Sequence, residues 1–208
     1  MAGTAPGAPS PPQRRWVRNE ILPLLLLLLL LGAARSSFAN HYHVPSSSME
    51  PTLEPGDRVL VDMSAYGLRL PFTKIRPFTA SPPRPGDVAI FDSPSDGVLM
   101  IKRVVAVAGD QVELFRGSLS INGQRLAGEV RADTEHFGDR EVRIKLDRGG
   151  GPDIMRMQVP EGHVLVLGDY RGNSVDSRYY GLIATSELYG RATRVYYRRN
   201  EGFVWRPL

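Results

Sequence analysis

The sequence has no cysteine among its 208 residues, so no disulfide holds the fold and no thiolate is available as nucleophile or metal ligand. Lysine is scarce. Nearly all of the 26 basic residues are arginine, and the only lysines are Lys74, Lys102 and Lys145. The charges are scattered, without a basic run interleaved with aromatics, which argues against nucleic acid as a partner. The net charge of +4 suits anionic lipid headgroups better. Long amphipathic helical patterns and internal repeats are also missing. With 21 glycines and 17 prolines, the chain is punctuated as short strands joined by turns.

What is present fits one domain with an N-terminal appendage. Residues 1–15 are rich in Ala, Gly, Pro and Ser and are expected to be a disordered tail. Arg14, Arg15 and Arg18 precede an apolar run from Ile21 to Ala34 that is leucine throughout from Leu24 to Leu31. As a helix this run spans about 21 Å, short against a hydrocarbon core of roughly 30 Å, so a removable signal peptide is one reading. Extended to Ala39 with Arg35 snorkelling, it reaches about 28 Å and becomes an anchor. The motifs further along favour the second reading, with residues 16–39 as a transmembrane anchor. The arginines before it place the N-terminus in the cytoplasm and the rest outside.

Residues 40–208 carry a β pattern. Asp57 to Met63 alternates around Val59 and Val61, and Gly86-Asp87 turns into the apolar Val88–Phe91. Val98 to Ala108 is the most apolar stretch beyond the anchor, interrupted only by Lys102 and Arg103. Residues 113–159 are less apolar and read as an inserted subdomain, with an Asn122-Gly123 hairpin tip. Val164–Leu167 returns to an apolar strand, Thr185–Leu188 is expected to make one helical turn, and Val195–Tyr197 with Phe203–Trp205 a closing hairpin.

Chemistry can come from Ser46, Ser47 and Ser48, held between Pro45 and Pro51 on a loop that cannot be regular. A serine-rich turn beside a membrane segment is the bland alternative. A serine nucleophile needs a base. His41 and His43 lie too close before the serines, and His136 and His163 sit in polar or turn contexts. Lys102 differs. Strand alternation puts Met100, Lys102 and Val104 on one face and Ile101, Arg103 and Val105 on the other, so one of the two charges is expected to point inward. An ordinary lysine is neutral in only about one molecule in 2,500 at pH 7, but burial lowers that barrier. The alternative is a lysine that snorkels from a strand edge.

Together these stretches resemble the bacterial type I signal peptidases, membrane-anchored Ser/Lys proteases. Four blocks carry the resemblance in order: Pro45 to Leu53 (P-S-x-S-M-x-P-T-L), Gly86 to Phe91, Lys102 to Val105 with Gly109-Asp110, and Gly168 to Gly181 (G-D-x-R-x-N-S-x-D-S-R). The resemblance implies antiparallel β-sheets around a cleft, as in the self-cleaving repressors, with an apolar rim dipping into lipid. It implies Ser48 as nucleophile, Lys102 as general base, and Ser46 as an oxyanion donor beside the Ser48 amide. Ser174 would orient the Lys102 amine, Asp176 and Arg178 would form a supporting ion pair, and Asp169 would lend outer support. Tyr42, Val44, Met49, Leu53, Val59, Met100 and Ile101 would line shallow pockets for small side chains at the first and third positions before the cut. The substrates would be exported preproteins, cleaved at the outer face of the cytoplasmic membrane without metal or cofactor.

The chain departs from that pattern at Ser47, where glycine is frequent, at Tyr170 and Gly172, where Asn and Asp are usual, and at Ala106 and Ala108. A self-cleaving repressor would need a DNA-binding domain upstream, where this chain has its leucine-rich segment. A degenerate, non-enzymatic adaptor would have lost Ser48 or Lys102, and both are present.

Overall fold

The computed structural model describes residues 20–27, 39–67, 81–127 and 133–208. Period-two alternation closed by glycine turns produces the strands. The first four are β1 (Ala39–His43), β2 (Arg58–Asp62), β3 (Val88–Asp92) and β4 (Leu99–Val107). Six shorter ones follow: β5 (Gln111–Phe115), β6 (Ser118–Ile121), β7 (Gln124–Arg125), β8 (Thr134–Phe137), β9 (Arg140–Arg143) and β10 (Ile154–Gln158). The last four are β11 (His163–Leu167), β12 (Ile183–Ala184), β13 (Gly190–Arg198) and β14 (Gly202–Pro207), with one helical turn, α1 (Ser177–Tyr180), between β11 and β12.

The main sheet runs β1-β2-β13-β3-β4-β11-β12, with β14 also pairing β13, and its strand pairings are antiparallel. Strand β4 is interior to it, between β3 and β11, and both of its faces are covered. Val104 packs with Phe91, Val164 and Val166 on one side, and Val105 with Leu114, Leu119 and Leu167 on the other. Lys102 and Arg103 therefore both sit at 2% exposure, where alternation had led to one inward charge. An interior strand with two packed faces leaves no solvated side, so the second charge has to be neutralised inside.

Strands β5 to β10 form two small sheets, β10-β5-β6-β7 and β8-β9, sharing a core with Val105, Ala106, Leu165 and Leu167 of the main sheet. The Asn122-Gly123 tip has φ of 52° and 79°, the doubly positive pair that a two-residue hairpin requires. The expected turn at Thr185 is a 3₁₀ turn over Thr185–Glu187, and β13 with β14 is the expected closing hairpin.

Residues 20–27 are helical, with Leu22 and Leu24–Leu27 exposed. Among the described residues no helix is long and apolar enough to cross a membrane. The expected tail, most of the expected anchor and the proline-rich loop around Lys74 lie outside the described residues. Ala39, the last residue of the expected anchor, is the first of β1, paired with Asp62. A strand partner claims it once the chain reaches the sheet edge.

Candidate active site

The serine loop follows β1 and is fixed at both ends by apolar anchors. Val44, Met49 and Leu53 are buried in a cluster with Val59, Val61, Val88 and Ile90. The Leu53 amide donates to the Met49 carbonyl at 2.9 Å, closing one turn that carries both side chains inward. Ser48 immediately precedes Met49. It is drawn to 8% exposure, while Ser46 stays at the surface.

Lys102 reaches this serine from β4. Its Nζ donates to Ser48 Oγ at 2.7 Å and to the Ile101 carbonyl at 3.1 Å. Burial is the main reason its pKa falls from 10.5 to about 8; Asp176 and Asp169 oppose the drop, and the Arg178 charge adds to it. Ser46 Oγ lies 3.2 Å from Ser48 Oγ. Among the described residues no acceptor takes the Ser48 amide, which leaves it available to a ligand. A poised amine, a hydroxyl within proton-transfer distance and two further donors form the constellation that acyl transfer needs.

The segment from Gly168 to Arg178 walls the site from behind. Asp176 accepts from the Gly168 amide at 2.9 Å and from Arg178 at 2.7 Å through both Nε and Nη2, and both side chains are fully buried. Asp169 is gripped by Arg103, Nε at 2.9 Å and Nη2 at 2.7 Å, and by the Thr52 hydroxyl at 2.5 Å. That is how the second charge of β4 is met: Arg103 ties the strand of Lys102 to the serine loop and to Asp169. The Ser174 hydroxyl, expected to orient the amine, makes no hydrogen bond. It is turned against Gly168, where an added Cβ would lie 2.2 Å from Ser174 Oγ.

Of the expected pocket residues, Tyr42, Val44, Met49, Leu53, Val59 and Ile101 gather in one cluster. Val44, Met49, Leu53 and Val59 have almost no exposed surface and form a floor rather than a rim. Met100 packs on the opposite face of β4 with the cluster that contains Phe91, as strand alternation requires. Among the described residues no three His, Asp or Glu side chains are grouped to hold a metal ion.

Sequence reasoning missed several residues that hold this arrangement together. Arg171 is 1% exposed and makes a two-pronged ion pair with Glu135 of β8 at 2.8 and 2.5 Å, while bonding the Gly168 and Gly117 carbonyls. Lys145 bridges to Glu50 at 2.8 Å and lies over the Tyr170 ring, 4.3 Å from its centroid. Asn173 donates to Ser47. Thr52 and Asn173 lay within quoted motifs, whereas Glu135 and Lys145 carried no local signal at all.

The family model described as signal peptidase, peptidase S26, matches residues 14–197. Signal peptidase I of Pseudomonas fluorescens is 34% identical over 203 residues, covering 86% of this chain and 70% of that protein. Signal peptidase I of Bacillus licheniformis is 31% identical over 191 residues, covering 89% of each. The solved structure of a signal peptidase I from Enterococcus faecalis is 28% identical, covering 54% of this chain and 98% of that one, with a TM-score of 0.39.

Proposed function

Because the chain belongs to the signal peptidase family, peptidase S26, we propose that it removes signal peptides from exported preproteins with Ser48 as nucleophile and Lys102 as general base. The family's members are serine endopeptidases, and this chain is one. The observation that carries the assignment of roles is the 2.7 Å contact between a buried Lys102 amine and the Ser48 hydroxyl.

Neutral Lys102 takes the Ser48 proton as Oγ attacks the scissile carbonyl. The resulting oxyanion is held by the Ser46 hydroxyl and the Ser48 amide. The lysine ammonium returns its proton to the departing amine, which frees the mature protein and leaves the leader as an ester on Ser48. Water deprotonated by Lys102 then cleaves that ester. The role of steering the amine, which the family pattern gives to Ser174, requires its hydroxyl to rotate away from Gly168. Asp176, Arg178 and Asp169 fix the wall on which this happens, and the pockets built on the Val44–Leu53 floor prefer small side chains.

The chain works at the cytoplasmic membrane as a single-pass protein, with residues 1–15 inside, the expected anchor from residue 16 ending before Ala39, and the β domain from Ala39 onward on the outer face. Exposed Phe203 and Trp205 on β14 supply apolar, interface-seeking surface of the kind such a location uses. The test is cleavage of a model preprotein by the full chain in detergent, alongside Ser48→Ala and Lys102→Arg. Wild type should release mature protein, and both variants should be inactive, because a guanidinium keeps its charge and cannot act as base. Cleavage by Ser48→Ala would overturn the assignment.

A further inference from the structure

Ser47 lies between the two serines of the proposed chemistry, and its hydroxyl is held by a different part of the fold. It accepts a 2.8 Å hydrogen bond from Asn173 Nδ2. One residue on, the Ser48 carbonyl accepts from the Tyr170 amide at 3.1 Å. Both donors belong to one tight turn, closed by the Asn173 amide on the Tyr170 carbonyl at 3.0 Å. That turn is braced from behind. Its Arg171 is buried on Glu135, and its Gly172 abuts the Arg148 carbonyl so closely that a Cβ would lie 2.4 Å from it. Among the described residues, apart from the local turn bond from the Glu50 amide to the Ser47 carbonyl at 3.0 Å, the hydrogen bonds that leave the Pro45–Ser48 stretch are the Lys102 contact and these two. Ser47 and Asn173 therefore join the least supported part of the loop to one of the best supported turns.

We propose that Asn173 is a positioning residue for the nucleophile, acting through the Ser47 hydroxyl to keep Ser48 Oγ within proton-transfer distance of Lys102. This rests on the assignment of Ser48 and Lys102 made above. Without the bond, the loop can pivot between Pro45 and the buried Met49, carrying Ser48 off its 2.7 Å contact. Reacting atoms displaced by about 1 Å lose on the order of 10²-fold in rate. The bond engages neither the Ser46 nor the Ser48 hydroxyl, so its loss is expected to act on rate rather than on substrate binding.

The test measures kcat and KM on an internally quenched signal-peptide substrate with the full chain in detergent, well below each variant's melting midpoint. Ser47→Ala and Asn173→Ala should each lower kcat by roughly 10- to 100-fold with KM within about twofold. The double variant should be no slower than the worse single one, because the two residues act through one bond. Ser47→Thr, which keeps the acceptor, should recover most of the rate. Wild-type kcat in Ser47→Ala, multiplicative losses in the double variant, or a loss confined to KM or to the melting midpoint would each refute the positioning role. A wild-type chain that fails to cleave, or a Ser48→Ala chain that does cleave, would instead remove the assignment of roles, and the positioning role with it. Normal behaviour of those two controls with wild-type rates in both single variants would sink the positioning role alone.

Discussion

If Lys102 works as a neutral base, solution pH sets the fraction of competent enzyme, and the structure gives the scale. A lysine with its ordinary pKa of 10.5 is neutral in roughly one molecule in 3,000 at pH 7, whereas at about 8 it is neutral in roughly one in eleven. Burial therefore supplies about a 300-fold gain in competent enzyme at neutral pH. The perturbation is a titration from pH 6 to 10, with kcat/KM read on a peptide substrate that does not itself ionise in that range. The rate should climb about tenfold per pH unit below 7, pass half-maximum near 8 and level off by about 9.5.

The same group links pH to stability, and the sign follows from its lowered folded pKa. Between about 8 and 10.5 the unfolded lysine keeps a proton that the folded one has lost, so stability rises with pH across that window, by about 3 kcal/mol in all. Ser48→Ala, which keeps Lys102 buried, should show that rise in its denaturant midpoint, and an added Lys102→Met change should flatten it. Half-maximal kcat/KM near 6.5, the ordinary histidine value, or a flat profile from 6 to 10 would refute a buried lysine base.

Ser46→Ala removes one proposed oxyanion donor and should cost about 10²–10³ in kcat with little change in KM, measured in the same assay. Glu135→Leu strands the Arg171 guanidinium in the interior and should lower unfolding free energy by about 3–5 kcal/mol, visible in a urea midpoint. Adding Arg171→Met should recover part of that loss, because the charge is gone although the Gly117 and Gly168 carbonyls stay unpaired. Gly172→Ala should lower the thermal midpoint, since its Cβ would meet backbone atoms that have no free side chain to move aside.

The serine loop, the lysine strand and the closing hairpin were legible because each is local: prolines bracketing serines, alternation, a glycine turn. The 122–123 turn was legible for the same reason, since Asn-Gly tolerates two positive φ angles that other pairs resist. Burial of Arg103 was not, because alternation describes a strand with one wet face, and β4 has none from Lys102 to Ala106. The Glu135–Arg171 pair joins residues 36 apart with no shared pattern. Ser174 shows the opposite limit. A motif position names a residue, but its rotamer depends on the neighbour it packs against, here Gly168.

The contacts that finish the site are also among the longest-range contacts in the chain. Ser48 meets Lys102 across 54 residues, but Thr52 meets Asp169 across 117 and Ser47 meets Asn173 across 126. Closures of that length follow the shorter ones during folding, since each must first overcome the loop entropy of everything between. If Ser48 and Lys102 have the proposed roles, a growing chain would thus carry both residues long before it could use them. Competence would then be a timed event, set by when residues near 173 arrive.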